Sequence, residues 1–137
     1  MGGDPLSHLP HAYPFRFVDR ILEFRPGERV VALKNVTSDE MFAVGYSPDV
    51  HDYPPRLILE SMAQTAGLLN PADGVAYLGQ LSGVRILRDV VAGDRLRITA
   101  CDIACLGEIR RVSVFAEVDG VRVAEAEVDV IQRGFVS

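Results

Sequence analysis

The chain has 137 residues, 48% of them apolar and 24% charged, and a formal net charge of −5. Length and balance fit one globular domain with a sizeable core and exclude an intrinsically disordered chain. Acidity without a block of Lys and Arg argues against nucleic acid or an anionic membrane as the main partner, while leaving room for a small basic patch facing an acidic carrier protein.

No apolar run approaches ~18 residues, so no membrane-spanning helix is expected. The opening Met1-Gly2-Gly3-Asp4-Pro5 has neither a charged n-region nor an apolar h-region, so no secretory signal is read and a cytoplasmic location is expected. Cys101 and Cys105 are too few for a disulfide framework. On one strand they would share a face roughly 13 Å apart, too far for a bridge, and they are expected to be small buried apolar residues. No Cys/His cluster has metal-ligand spacing, and neither a metal nor a cofactor is expected.

Residues 6–16 carry Pro10 and Pro14 and read as a loop. Strand-like segments at 17–24 and 29–36 flank the turn chemistry of Arg25-Pro26-Gly27-Glu28, predicting a hairpin. Thr37-Ser38-Asp39-Glu40 is polar. Residues 45–55 hold three prolines and one glycine, an irregular loop that leads into the most distinctive stretch of the chain.

That stretch, residues 54–69, predicts a helix. Pro54 and Pro55 suit its first turn, where a missing N–H costs nothing. Leu57, Ile58, Leu59, Met62, Ala63, Ala66, Leu68 and Leu69 make it apolar over most of its circumference, so it belongs inside a core. Arg56, Glu60 and Gln64 recur at i, i+4 and i+8 and form its single polar stripe. Ser61, Ala63, Ala66 and Gly67 are small enough to admit another backbone. A carboxylate on such a helix needs a partner or a cavity.

Asn70-Pro71-Ala72-Asp73-Gly74 stops the helix. Strands follow at 75–81, 83–89, 95–100, 111–118 and 121–131, with a turn at Leu106-Gly107-Glu108. Asp119-Gly120 is a strong two-residue hairpin signal. The apolar phase shifts between Val123 and Ala124, predicting a bulge or burial of both faces. One apolar helix with consecutive antiparallel strands is α+β, with the helix covered by a curled sheet and by a second subunit.

Several motifs together resemble the 3-hydroxyacyl-acyl-carrier-protein dehydratases. They are Leu9-Pro10-His11-Ala12-Tyr13-Pro14-Phe15 with Val18-Asp19-Arg20, then Lys34-Asn35-Val36-Thr37, Glu60-Ser61-Met62-Ala63-Gln64, Gly93-Asp94, and Ala124-Glu125-Ala126-Glu127. The similarity spans about residues 9–131, within a single domain of 1–137. It implies the hotdog fold, an antiparallel sheet wrapped around one long central helix. It also implies a homodimer, or a trimer of such dimers, with each site at the subunit interface. The substrate would be an acyl-carrier-protein or acyl-coenzyme A thioester, in fatty acid or related acyl-chain synthesis.

By the same resemblance Glu60 is a catalytic residue. Tyr46 stands where the family carries its catalytic His, and Pro55 where it carries a Gly whose N–H meets the thioester carbonyl. Tyr is a poor base at neutral pH, since its ordinary pKa is about 10. Pro supplies no N–H, and losing one such donor typically costs ~100- to 1000-fold in rate. Tyr46 joins Glu60 as a candidate catalytic residue. Arg56, Gln64, His51 and Pro55 are candidate substrate-binding residues, and His51 is a candidate replacement base. His11 is read as structural, Asp19 and Arg20 as an ion pair, and Arg85, Arg88, Arg95 and Arg97 as a solvated edge or a carrier-docking surface. Three functions stay open: a dehydratase with an altered site, a silent acyl-binding subunit paired with an active paralogue, and an acyl thioesterase.

Overall fold

The computed structural model describes residues 18–37, 45, 52–69 and 75–133, the side chains of 75–79 and 132–133 excepted. Strands β1 (Arg20–Arg25) and β2 (Arg29–Asn35) form the expected hairpin. Helix α1 (Pro55–Gly67) follows, and then β3 (Val75–Ile86), β4 (Arg95–Leu106), β5 (Ile109–Val118) and β6 (Val121–Arg133). All six strands join one sheet in the order β1-β2-β4-β5-β6-β3, and every pairing is antiparallel. One helix packed on one antiparallel sheet is the α+β hotdog arrangement. Among the described residues no helix is long and apolar enough to cross a membrane.

Period-two alternation sends one side of the strands onto the helix. Val30 and Ala32 of β2, Leu96, Ile98 and Ala100 of β4, and Val112, Val114 and Ala116 of β5 are all buried there. Helix α1 answers with Leu57, Ile58, Met62 and Ala66. Ala124 and Ala126 on β6 are buried, Glu125 between them is half-buried and Glu127 is exposed, which accounts for the alternating pattern near the end of the chain. Burial of large apolar side chains of this kind is worth roughly 1.5–3 kcal/mol each before entropy is counted.

The helix begins on Pro54, whose extended backbone (φ −60°, ψ 137°) serves as cap without a side-chain bond, and its carbonyl accepts from Leu57 N–H at 2.9 Å. Ser61 Oγ and Thr65 Oγ1 donate to the carbonyls of Leu57 and Ser61, so both hydroxyls are satisfied inside the core. The Gly27 N–H of the β1–β2 turn reaches Leu69 O at 2.9 Å and ties down the helix end. At the β5–β6 turn Asp119 and Gly120 both have positive φ (51° and 79°), the conformation a two-residue hairpin needs.

Three expectations are corrected. The strands expected at 75–81 and 83–89 are one strand, β3, which continues through an irregularity of register between Ser82 and Arg85. Cys105 is exposed and Cys101 only half-buried, because a register shift between Asp102 and Ala104 breaks the two-residue phase that would have put them on one face. Asp19 pairs with Lys34 (3.6 Å) and accepts the Asn35 N–H (2.6 Å) instead of pairing with Arg20, since β1–β2 register sets Arg20 opposite Leu33. Arg85, expected on a solvated edge or docking surface, is exposed and pairs with Glu125 at 3.6 Å. The phase shift at Val123 is a bulge with both Val123 and Ala124 buried, and Val123 O accepts from Leu87 N–H.

Candidate active site

Among the described motif residues, Asp19, Lys34-Asn35-Val36 and Gly93-Asp94 are linked to one another ahead of the helix. Asp19 binds Lys34 and the Asn35 backbone, and Asp19 N–H donates to Leu33 O. From the end of β2, Val36 N–H donates to Asp94 O, while Gly93 N–H returns to Val36 O. Gly93 takes φ 98°, a conformation that disfavours any residue with a Cβ. Asp94 Oδ2 then accepts from Val91 N–H at 3.0 Å. The turn so fixed presents Val90 and Val91 to the segment before the helix. Asp52 makes an isolated bridge to Val91, and Tyr53 N–H donates to Val90 O. These motif residues form a scaffold that anchors the segment before α1.

Tyr53 is buried in the core cluster beside this anchor. It was not singled out from sequence, although an aromatic immediately before two prolines and an apolar helix is a usable signal for an anchor.

Leu57, Ile58, Ser61, Met62, Gln64, Thr65 and Ala66 are the buried side of α1. Pro55, Arg56 and Glu60 are exposed, and Leu59, Ala63 and Gly67 are half-buried. The carboxylate expected inside the core therefore stands on an open stripe of one protomer, bordered by small and apolar residues. Gln64 leaves that stripe. Each four-residue step advances about 40° round the helix, so by i+8 the residue has rotated about 80° from Arg56 onto the buried side. Of the small residues, Ala63 and Gly67 are open to a neighbouring backbone, whereas Ser61 and Ala66 face the protein's own sheet.

Pro55 occupies the first helical position, and no acidic residue lies in the first turn. No carboxylate of the first turn offsets the positive end of the helix dipole, which favours negative charge. The first backbone N–H of the helix belongs to Arg56, one residue beyond the position the resemblance assigns to the thioester carbonyl. Tyr46, His51 and the opening motif with His11 lie outside the described residues. Gly45 just before Tyr46 is described, exposed and at φ 102°.

A family model described as the FabA-like domain matches residues 9–127. The chain belongs to the FabA-like domain family. Among FabA-like relatives, the 3-hydroxyacyl-acyl-carrier-protein dehydratase FabZ of Bartonella bacilliformis is 40% identical over 129 residues, covering 90% of this chain and 84% of its own. The FabZ of Polynucleobacter asymbioticus is 42% identical over 128 residues, covering 90% and 86%. Among solved structures, the dehydratase heterocomplex ApeI:P from Xenorhabdus doucetiae matches with a TM-score of 0.81 and 17% identity, covering 98% of this chain and 93% of that one. The FabA-like match takes in all the scaffold residues described above, from Asp19 to Asp94, together with Glu60.

Proposed function

We propose that the protein acts on acyl thioesters as a dehydratase with an altered site, converting a 3-hydroxyacyl group on acyl carrier protein to the trans-2-enoyl group and water. The observation that carries this reading is Glu60, the one carboxylate on α1, standing on the open stripe at the register of the family motif. In the elimination a base takes a proton from C2, and an acid protonates the C3 hydroxyl so that it leaves as water. Glu60 serves the proton at C3. Tyr46, with His51 as the alternative, orients the substrate or takes the C2 proton. Arg56 and the helix N-terminus attract the developing enolate oxygen in place of the N–H that Pro55 lacks. Gln64, about 40° round the helix from Glu60 and buried, holds the helix in place beneath the acyl chain.

A homodimer completes the site in this reading. Strand β3 is an edge of the sheet, paired with β6 on one side only among the described residues, and Val84 and Ile86 along it, with Leu87 just past its end, are exposed. A long apolar edge of this kind is a template for pairing with a second copy. A partner lying there would also cover the Leu59, Ala63 and Gly67 stripe and take Glu60 out of bulk water.

A second reading is favoured by Pro55 at the first helical position: a silent acyl-binding subunit that pairs with an active relative. The name of the Xenorhabdus heterocomplex shows that a dehydratase with the same fold is assembled from unlike chains. The test is reversible hydration of a short trans-2-enoyl group on acyl carrier protein, followed by absorbance with the purified oligomer. Turnover that disappears in Glu60→Gln supports the dehydratase. Unchanged turnover in that variant removes Glu60 from the chemistry, and no turnover from folded oligomer favours the silent subunit. Release of free thiol instead of hydration would mark a thioesterase.

A further inference from the structure

The side of the sheet facing away from α1 carries a groove of about 320 Å³ with an unusual charge arrangement. Register builds it. Arg20 of β1 lies opposite Leu33 of β2, Leu33 opposite Arg97 of β4, and Arg97 opposite Glu117 of β5. Adjacent strands lie about 4.8 Å apart, so Arg20 and Arg97 flank Leu33 across roughly 10 Å, and Arg95 sits two residues from Arg97, about 7 Å along the same face. Leu22, displaced by the β1 bulge, joins Leu33 as an apolar floor. Glu117 and Asp119 form the opposite wall.

Most arginines on this sheet are neutralised. Arg25 and Arg29 bind Glu23, Arg85 and Arg122 bind Glu125, Arg110 binds Asp102, and Arg111 binds Asp129. Arg20, Arg95 and Arg97 form no ion pair with any described residue, although Glu117 is Arg97's direct cross-strand neighbour. In a chain of net charge −5, three guanidinium groups without an ion pair to any described residue thus line one concave surface, outnumbering its two carboxylates, Glu117 and Asp119. Like charges at this separation repel, and a bound oxyanion relieves that repulsion.

We propose that this groove binds a small phosphate monoester with a hydroxyl- or amino-bearing body, at a site separate from Glu60. Guanidinium forks pair bidentately with phosphate oxygens. Leu22 and Leu33 give the body an apolar floor, and the Glu117 and Asp119 carboxylates accept hydrogen bonds from its donors. The volume sits at the small end of ligand sites, the size of a mononucleotide. The two carboxylates decide against an acidic protein surface, whose own carboxylates would be pressed against them.

The experiment is calorimetric titration of the intact oligomer at constant ionic strength with adenosine 5′-monophosphate, inorganic phosphate and adenosine, and with an oligoglutamate peptide. The expected result is saturable binding of the monophosphate, tighter than inorganic phosphate, with no binding of adenosine. Arg20→Gln and Arg97→Gln, both at exposed positions, each weaken it about tenfold or more, the loss expected for one charge-assisted contact. Arg111→Gln, which removes an arginine already paired, leaves it unchanged, as does Glu60→Gln. The proposal is overturned by absence of monophosphate binding, by equal affinity in Arg97→Gln with an unchanged melting temperature, or by equal affinity for inorganic phosphate. Tighter binding of oligoglutamate through the same arginines also overturns it and makes the groove a protein-docking surface.

Discussion

The Asp94 carboxylate accepts the backbone N–H of Val91 at 3.0 Å, and this bond, with the Asp94 N–H to Val91 O bond across the same turn, braces the residues that meet the chain at the start of the central helix. Asp94→Ala removes a charge-assisted contact to a backbone donor. The expected cost is about 1 kcal/mol, a few degrees in Tm. Turnover should fall by more than the stability loss alone explains, because Asp52 and Tyr53 lose their anchor. Thermal melts and enoyl hydration rates on the same samples check both parts.

Glu60→Gln should lower hydration of enoyl-acyl carrier protein by about 100- to 10,000-fold, the usual worth of a positioned proton-transfer group. Because Glu60 is exposed on the protomer, the variant should keep the wild-type melting curve and oligomeric state. A slow variant that is also unfolded would leave the loss attributable to structure, so circular dichroism accompanies the rate measurement.

Pro55→Gly with Tyr46→His should raise activity above wild type by tenfold or more. Glycine restores a backbone donor at the positive end of the helix, for which ~100-fold is typical, and imidazole titrates near neutral pH. No gain, in protein that folds and assembles, would mean that the Arg56 end of the helix already carries out this role.

Val84→Lys should shift the protein toward monomer in sedimentation experiments. The substitution places a charge on the exposed apolar edge of β3, the device by which natural edge strands avoid pairing. Enoyl hydration should fall with the oligomer. Retention of full activity in a monomer would separate the site from the interface.

Asp129 is held below the ordinary carboxylate value of 3.8 by its hydrogen bonds to Arg111, at 2.8 and 3.1 Å, helped by Arg111's charge. A carboxyl whose folded pKa is depressed adds stability that is fully present above 3.8 and is lost as pH falls through the folded value. Asp129→Asn should therefore lower Tm slightly at pH 7, with the difference shrinking as the medium is acidified below that point. The effect is small because the pair is solvent-screened at the arginine end. Melting curves of both proteins across pH 2–7 read it directly.

Local chemistry made much of the fold legible. Asp119-Gly120 sets the β5–β6 turn, Pro54-Pro55 starts the helix, and the unbroken apolar face of residues 57–69 calls for burial. What escaped local reading depends on pairing between distant segments. Asp19's partner is Lys34 because β1–β2 register excludes Arg20, and Cys105 is exposed because of a shift near Ile103 that no periodicity announces. At the site, Glu60 was recognisable from its motif, whereas Gln64 fell on the other side through the slow rotation of i+4 steps. Asp94, Gly93 and Val36 were visible as motif residues, but their task of holding Tyr53 and Asp52 appears only when three separate segments meet.

The helix is fastened at both ends to different connections of the sheet: Tyr53 to Val90 of the β3–β4 connection ahead of it, and Leu69 to Gly27 of the β1–β2 turn behind it. A rod clamped at two points cannot slide along its axis without breaking main-chain bonds. Under the proposed function, the room for an acyl tail is then governed by which side chains project from a stationary axle. Preference for longer or shorter tails among relatives should accordingly track substitutions at single positions such as Leu59 and Ala63, with helix placement unchanged.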